Sequence, residues 1–273
     1  RVILKEDVNI HDLSKECVGV PYIKKAAELG FAGMYVSEDV GGLGASRADA
    51  AVVFEELASH DVSTTAYLTI HNMCAWIIDT YGSAEQRERY LPAVTQLDAF
   101  TSYCLTEPGS GSDAASLSTS ARRDAAGGGY ILSGAKAFIS GGGASDLYVV
   151  MARTGGDGPG GVSCFVVEAG SAGLSFGANE KKMGWNSQPT AAMLLDDVRV
   201  GEDARLGAEG EGGRRSRPEK IGRSYFSIAQ KRNFSIQRRM NLPEKKLRRL
   251  LNKRPLLRVQ VRPSYEVQAK NSW

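Results

Sequence analysis

Two short segments, residues 103–113 and residues 138–140, carry the residue types best suited to holding a polar, negatively charged ligand. The first is a β-prone stretch that enters a turn at Pro108 and Gly109 and continues through small hydroxyl residues. Glycines and short side chains in such a turn leave backbone N–H groups open to close approach by an anionic group. The second ends a later β-prone stretch, where Phe138 offers an aromatic face and Ser140 a hydroxyl. The residues alone leave two plainer interpretations open, an ordinary polar loop and a simple strand end.

The other glycine clusters do not form a known nucleotide-binding pattern. No G-x-G-x-x-G opens a predicted helix directly after a strand, and no G-x-x-x-x-G-K-[ST] occurs. The fingerprints of the dinucleotide-binding fold and of the P-loop are therefore absent. We predict hairpin turns at residues 127–129, 141–143 and 155–161.

The cysteines and histidines argue against both a disulfide framework and a metal site. The cysteines are Cys17, Cys74, Cys104 and Cys164, and the histidines are His11, His60 and His71. No C-x-x-C pair exists, so no metal ligands are assigned. Cys104 and Cys164 lie in apolar stretches, where we predict buried thiols, and a reducing compartment fits this usage best.

The composition is that of an ordinary globular chain. Of the 273 residues, 42% are hydrophobic and 24% are charged, which excludes disorder of the whole chain. No stretch approaches the about 20 consecutive apolar residues that cross a bilayer, so no membrane span is predicted. The chain opens at Arg1 without an initiator methionine, and we expect a fragment. The lack of a targeting peptide then says nothing about destination.

Charge divides the chain sharply at residue 213. Residues 213–273 hold 18 Lys and Arg against three acidic residues, whereas residues 1–212 carry a net charge of −12. Glycine follows the same division, with 29 of its 31 occurrences before residue 213. We predict a domain boundary there and one short basic helix at residues 241–251. A reading-frame or splicing change explains the step better than an evolved replacement domain.

The basic tail supports an alternative function of its own. Its charge suits binding to nucleic acid or to an anionic membrane surface, although its paired basic residues lack interleaved aromatics. A non-catalytic subunit that competes for oligomer assembly is a further interpretation. Salt-insensitive binding to nucleic acid would argue against the first alternative, and failure to co-purify with full-length subunits against the second.

The first hundred residues are predicted to be mostly helical. Capping-box spacings at Ser46 and Ser83 mark two helix starts, whereas Gly30, Gly82 and Pro92 mark three helix ends. The predicted helices cover about residues 21–30, 46–59, 65–80 and 83–92.

The pattern changes after residue 99 to short β-prone stretches separated by glycine-rich turns. Such stretches indicate an antiparallel barrel or sandwich rather than alternating βαβ units. The predicted strands are residues 100–105, 130–132, 137–139, 147–152, 164–168, 174–176 and 192–195. The fold class is therefore α+β. A partial helical domain covers residues 1–100, an antiparallel β-barrel-like domain covers residues 101–212, and residues 213–273 form a tail of unknown structure.

Several segments in a consistent order resemble the acyl-CoA dehydrogenase family. They are residues 81–86, 90–92, 103–113, 138–140, 182–185 and 196–200. The resemblance extends over about residues 21–212 and implies FAD as cofactor, an acyl-CoA substrate and electron-transferring flavoprotein as acceptor. It also implies a homotetramer in the mitochondrial matrix. Residues 70–76 and 184–190 are most similar to members that act on a short branched-chain acyl-CoA, isobutyryl-CoA of valine catabolism.

The resemblance also assigns the site residues by position. The implied flavin contacts are Tyr103, Cys104, Leu105, Thr106, Glu107, Pro108, Gly109, Ser110, Gly111, Ser112, Phe138, Ile139 and Ser140. Ser112 is also expected to touch the acyl-CoA substrate. Phe138 stands where many relatives have tryptophan, so an aromatic ring is kept.

The part of the family that performs proton abstraction has no counterpart in this sequence. In the family, a glutamate of a C-terminal four-helix bundle removes the α-proton, while hydrogen bonds to the thioester carbonyl stabilise the developing enolate. The tail acids Glu219, Glu244 and Glu266 lie in no matching motif, so no catalytic residue is assigned. We expect an incomplete form that binds FAD weakly and is inactive.

Overall fold

The structure is a computed structural model that describes residues 25–212. The first predicted helix is seen only in its last turn, at residues 25–28, and the predicted basic helix at residues 241–251 lies outside the described residues. The helices are α1 (Arg47–Ala58), α2 (Val62–Tyr81) and α3 (Ala84–Thr95). The strands are β1 (Thr101–Cys104), β2 (Ser120–Arg123), β3 (Tyr130–Ser140), β4 (Leu147–Arg153), β5 (Val162–Glu168), β6 (Leu174–Phe176), β7 (Thr190–Val200) and β8 (Arg205–Leu206).

Both predicted capping boxes are confirmed. At the start of α1, the Ser46 hydroxyl accepts from the Asp49 N–H at 3.2 Å, and the Asp49 carboxylate accepts from the Ser46 N–H at 3.1 Å. Ser83 and Gln86 repeat this exchange at the start of α3. Each box satisfies two backbone donors that the first helical turn leaves without partners. These helix starts are therefore set by local sequence.

The prediction that Pro92 closes the last helix is wrong. α3 continues through Pro92 to Thr95. Proline removes one helical hydrogen bond and is costly inside a helix, but the residues around it are held by the core. Leu91 and Val94 are fully buried, and the Thr95 hydroxyl bonds back to the Leu91 carbonyl at 3.0 Å. Burial thus outweighs the local signal.

The start of α2 also differs from the prediction, because its cap lies four residues before the predicted first residue. The Asp61 carboxylate accepts from the N–H groups of Ser63 at 3.0 Å and Thr64 at 3.2 Å, and Asp61 is 9% exposed. A buried cap of this kind anchors the longest helix of the described chain.

Asp61→Ala is expected to lower the free energy of unfolding by about 1 to 2 kcal/mol, because two N–H groups lose their acceptor. Urea denaturation measures the change. Asp157→Ala, in an exposed loop, is the matched control and should stay within about 0.5 kcal/mol of the parent. Equal urea midpoints for the two variants would show that water accepts from the Ser63 and Thr64 N–H groups as well as the Asp61 carboxylate does.

All eight strands belong to one sheet in the order β6-β7-β3-β2-β4-β5-β8, with β1 beside β4. Antiparallel pairs dominate, and the exceptions are parallel pairings of β4 with β1 and, at a single residue pair, with β2. The predicted α+β class with an antiparallel-rich second domain is confirmed. The two predicted strands at residues 130–132 and 137–139 are one continuous strand, and β2 and β8 were not predicted.

The sheet curls so strongly that strands distant in its order share one interior. This curvature corresponds to the predicted barrel-like domain. Three strands lie between β4, which carries Tyr148, and β6, which carries Phe176, yet the two ring centroids are 5.0 Å apart. Tyr130 and Phe165 likewise meet at 4.9 Å. The opposite face of β4 and β5 packs against α2 and α3, so β4 is buried on both sides.

A buried histidine joins the helices to the sheet. His71 of α2 is fully buried, and its Nε2 lies 3.0 Å from the Val94 carbonyl oxygen. Its Nδ1 accepts from the Thr101 N–H at 3.2 Å. Because a carbonyl can only accept, Nε2 carries the proton and the ring is neutral. One side chain therefore fixes α2, the end of α3 and the first residue of β1.

Candidate functional site

The segment predicted at residues 103–113 begins in the last two residues of β1 and continues into an excursion from the sheet. β1 pairs with the first half of β4, from Thr101 opposite Leu147, and the chain then leaves the sheet. It returns at Ser120, which pairs with Arg153 at the far end of the same strand. Residues 105–119, which we call the excursion loop, thus begin and end at one edge of β4.

A buried ion pair closes the excursion loop at its base. The Lys136 ammonium of β3 lies 2.7 Å from the Glu107 carboxylate and 3.2 Å from the Leu105 carbonyl oxygen. The side chains of Lys136 and Glu107 are 0% and 3% exposed. The same carboxylate accepts from the Ser118 N–H at 2.7 Å and the Thr119 N–H at 3.0 Å. Glu107 therefore ties the outgoing arm of the loop to the returning arm and to the sheet.

Burial and hydrogen bonding compete at this pair. Burial disfavours the Glu107 carboxylate, but the hydrogen bonds from Lys136 and from residues 118 and 119 outweigh it together and lower its pKa to about 2. Burial lowers the pKa of Lys136, and Glu107 opposes that shift. Glu107 is ionised and engaged at neutral pH, so it is not available to remove a substrate proton.

The tip of the excursion loop is open. Glu107 and Ser110 exchange backbone hydrogen bonds of 2.9 and 3.1 Å across a tight turn, and the Ser110 hydroxyl donates to the Asp113 carbonyl at 2.5 Å. A methyl group added to Gly109 or Gly111 would meet no atom within 4 Å. The turn is therefore rigid at its base, while its glycines face free space that a ligand could occupy.

Beside this turn, a β-bulge turns an aromatic ring outward. Lys136 pairs with Met193 and Ile139 with Ala191, so Ala137 and Phe138 together oppose one residue of β7. Phe138 has φ +57 and is 67% exposed. The freed Ala137 N–H donates to the Thr106 carbonyl at 2.8 Å instead of to the sheet. Bulges and left-handed non-glycine residues are both concentrated next to functional sites.

A hydroxyl network supports the end of β3. The Ser102 hydroxyl donates to the Ser140 carbonyl at 2.5 Å, and the Ser145 hydroxyl lies 2.7 Å from both the Ser102 and Tyr67 hydroxyls. Gly141 sits on these three hydroxyls with φ +81. The network joins α2, β1 and the β3–β4 turn directly behind Ser140.

The structure brings the two predicted segments together, although not every predicted side chain faces the same space. Pro108, Gly109, Gly111, Ser112 and Phe138 are exposed, and Thr106 and Ser140 are half-buried. The remaining predicted residues have side chains directed into the protein: Tyr103 and Leu105 toward the helix-side core, Cys104 and Ile139 into the sheet interior, and Glu107 and Ser110 into the loop base. Contacts of these residues with a ligand would have to come from their backbone.

The Tyr103 hydroxyl is buried and has no hydrogen-bond partner among the described residues, and burial raises its pKa well above the usual value. Its neighbours include the thiols of Cys74, Cys104 and Cys164, which are all buried and form no disulfide within residues 25–212. The predicted burial of Cys104 and Cys164 is confirmed. Within residues 25–212, no group of three or more His, Cys, Asp or Glu side chains could hold a metal ion.

Sequence reasoning missed Lys136 and the network of Ser102, Ser145 and Tyr67. One signal for the ion pair was a lysine directly before the β-prone stretch at residues 137–139, because a buried ammonium requires a partner, but no local pattern indicated Glu107, 29 positions earlier. The hydroxyls carried no such signal, because serine and tyrosine are ordinary in strands and helices.

Among the helices between residues 25 and 212, none combines the length and the apolar content required to cross a membrane.

Known proteins share this arrangement of a helical domain followed by a curled sheet. The profile of the acyl-CoA dehydrogenase N-terminal domain matches residues 4–98, and that of the acyl-CoA dehydrogenase middle domain matches residues 102–198. The chain belongs to the acyl-CoA dehydrogenase family.

Individual relatives define the likeness further. The chain is 60% identical over 198 residues to mitochondrial isobutyryl-CoA dehydrogenase of Bos taurus, covering 72% of this chain and 47% of that protein. Among solved structures, butyryl-CoA dehydrogenase from Megasphaera elsdenii gives a TM-score of 0.72 at 32% identity, covering 78% of this chain and 56% of that one. The chain spans about half the length of the curated isobutyryl-CoA dehydrogenases it matches.

The cofactor follows from the same comparison. An acyl-CoA dehydrogenase from Bacillus anthracis, solved in complex with FAD, gives a TM-score of 0.67 at 34% identity, covering 72% of this chain and 33% of that one. FAD is the cofactor of this family. The open glycines of the excursion loop and the outward-facing Phe138 fit a large, flat, anionic group of this kind.

Proposed function

We propose that residues 25–212 form the flavin- and acyl-CoA-facing part of a dehydrogenase that oxidises isobutyryl-CoA between its α and β carbons, in valine catabolism. One observation carries this proposal. The bulge that exposes Phe138 is latched to the excursion loop by the bond from Ala137 N–H to Thr106, so an aromatic face and an open glycine turn lie side by side. The identity to isobutyryl-CoA dehydrogenase supports the choice of substrate.

The residues divide the binding work between them. The backbone of residues 103–112 and the hydroxyls of Thr106 and Ser112 would hold the edge and the phosphates of FAD. The ring of Phe138, with the backbone of Ile139 and Ser140, would pack beside the ring system of FAD. Ser112, exposed on the loop, would also meet the acyl-CoA. Bound FAD would supply the hydride acceptor for the β carbon of the substrate. This chain's part is to orient the ring and to shield one of its sides from water.

We propose that the base that removes the α-proton comes from outside residues 25–212. Glu107 is saturated by hydrogen bonds, and His71 is buried between the helices and the sheet. We propose that the 273 residues alone bind FAD weakly and do not dehydrogenate isobutyryl-CoA. The complete enzyme would pass electrons to electron-transferring flavoprotein and act as a homotetramer in the mitochondrial matrix.

Titration of the 273-residue chain with FAD, followed by anaerobic addition of isobutyryl-CoA, tests this proposal. We expect quenching of flavin fluorescence on binding and no bleaching of the flavin. Phe138→Ala should weaken FAD binding by about fivefold, because an aromatic contact is lost. Leu194→Ala, which removes another exposed side chain of the sheet, is the control and should leave binding unchanged. Bleaching would overturn the predicted inactivity, and an equal effect of the two variants would remove Phe138 from the flavin site.

A further inference from the structure

We propose that Glu107 and Lys136 are a positioning pair that fixes the separation between the open glycine turn and Phe138, and thereby the seat of the flavin. This inference rests on the proposed function, since it assigns the pair a task at that same site. It goes beyond it by naming two residues that need not touch the flavin.

Consecutive residues of β3 divide the task. Lys136 holds the loop through Leu105 and Glu107, Ala137 holds it through Thr106, and the next residue is the exposed Phe138. A shift of the loop base is therefore transmitted to the ring within one or two residues. The coupling also acts from the bulge to the loop, because a change at the bulge would move the Lys136 ammonium that holds the loop.

The ion pair does more than balance charge. A buried pair gains little net stability over a well-packed apolar pair, because both charges lose their hydration. Glu107 instead gathers donors from three places: the Lys136 ammonium, the Ser118 N–H and hydroxyl, and the Thr119 N–H. One carboxylate thus closes a loop whose two arms are eleven residues apart at Ser118. The arrangement requires an acceptor at residue 107 and a donor at residue 136, in that order.

Three variants and one control separate positioning from plain stabilisation. Glu107→Gln removes the charge and keeps one acceptor, Lys136→Met removes the ammonium, and the double variant Glu107→Lys with Lys136→Glu exchanges the charges. Glu168→Gln is the control, because Glu168 bonds the exposed Arg89 at 2.8 Å and lies beside Leu147, at the end of β4 that pairs with the start of β1 rather than with its exit into the loop. Each protein is measured by amide hydrogen exchange without FAD and by FAD titration.

We expect Glu107→Gln and Lys136→Met to speed exchange in residues 105–119 and 136–140 on the order of tenfold, through loss of charged hydrogen bonds. Exchange in α1 and α2 should stay as in the parent, which shows that the fold is kept. The variant with the faster amide exchange should also show the larger loss of FAD affinity. The charge exchange should not restore either property, because a lysine at residue 107 would face the N–H donors of Ser118 and Thr119.

Two results would overturn the inference. Exchange unchanged in both segments would show that the pair does not hold the loop, and full recovery in the charge-exchanged variant would reduce the pair to a simple charge contact. If the parent chain bound no FAD, the proposed function would lose its support, while the exchange data would still decide whether the pair positions the loop.

Discussion

Gly141→Ala is expected to destabilise the protein by about 3 kcal/mol, through left-handed strain and overpacking together. Gly141 has φ +81, a conformation in which alanine is strained. Its added methyl carbon would stand 2.4 Å from the hydroxyl oxygens of Ser102 and Ser145 and 2.7 Å from that of Tyr67. These hydroxyls bond to one another and to Ser140, so none can move away without breaking a buried hydrogen bond.

Urea denaturation followed by circular dichroism measures this loss. Gly156→Ala is the matched control, because a methyl group there meets no atom within 4 Å, and its midpoint should move by less than about 0.5 kcal/mol. If Gly141→Ala unfolded at the same urea concentration as Gly156→Ala, the hydroxyl network would be looser than its short distances indicate.

The stability of the protein is expected to fall as the pH drops from 7.5 to 5, with His71 as a principal cause. Burial lowers the pKa of His71 from 6.5 to about 4, and its bond to the Val94 carbonyl opposes the shift only in part. The folded state therefore prefers the neutral ring. The contribution of this preference to the free energy of unfolding is complete above pH 6.5. It declines at lower pH, because the histidine of the unfolded chain becomes protonated first. The loss is about 2 kcal/mol at pH 5 and about 3 kcal/mol below pH 4.

Unfolding free energies at several pH values test this expectation. His71→Gln should flatten the slope between pH 7.5 and 5, because no group at that position then gains a proton on unfolding. His60→Gln, at an exposed position, is the control and should keep the parent's slope. A parent and a His71→Gln variant with parallel pH profiles would assign the slope to other groups.

Features encoded within a few residues could be predicted from the sequence. The two capping boxes depend on residues three positions apart, and the predicted hairpin turns at residues 127–129 and 155–161 join paired antiparallel strands, β2 with β3 and β4 with β5. The hairpin predicted at residues 141–143 is wrong, because this turn joins β3 to β4 and these two strands do not pair. Pro92 misled the prediction because its cost is offset by the burial of Leu91 and Val94, which is a tertiary effect.

In the candidate site, too, the local features could be predicted from the sequence and the long-range contacts could not. The open turn at Gly109 and the aromatic ring of Phe138 are visible in the sequence, and the family resemblance joins them. The contact that fixes them, between Glu107 and Lys136, spans 29 positions and has no local pattern. The continuity of β3 was hidden for a related reason. Gly134 resembles a turn residue, whereas its missing side chain leaves room for Thr119 at the end of the excursion loop.

The parallel pairing of β1 with β4 sets the order in which a growing chain can complete the site. β1 leads into the excursion loop, but its partner strand begins at Leu147, and the Phe100 N–H bonds Asp146 across 46 positions. β4 in turn pairs with β5, which ends at Glu168. A chain emerging from the ribosome therefore exposes residues 103–113 before the strands that seat them have been made. Residues 103–113 reach the geometry of the candidate site only when the β4–β5 hairpin docks, a contact of long sequence separation that forms slowly.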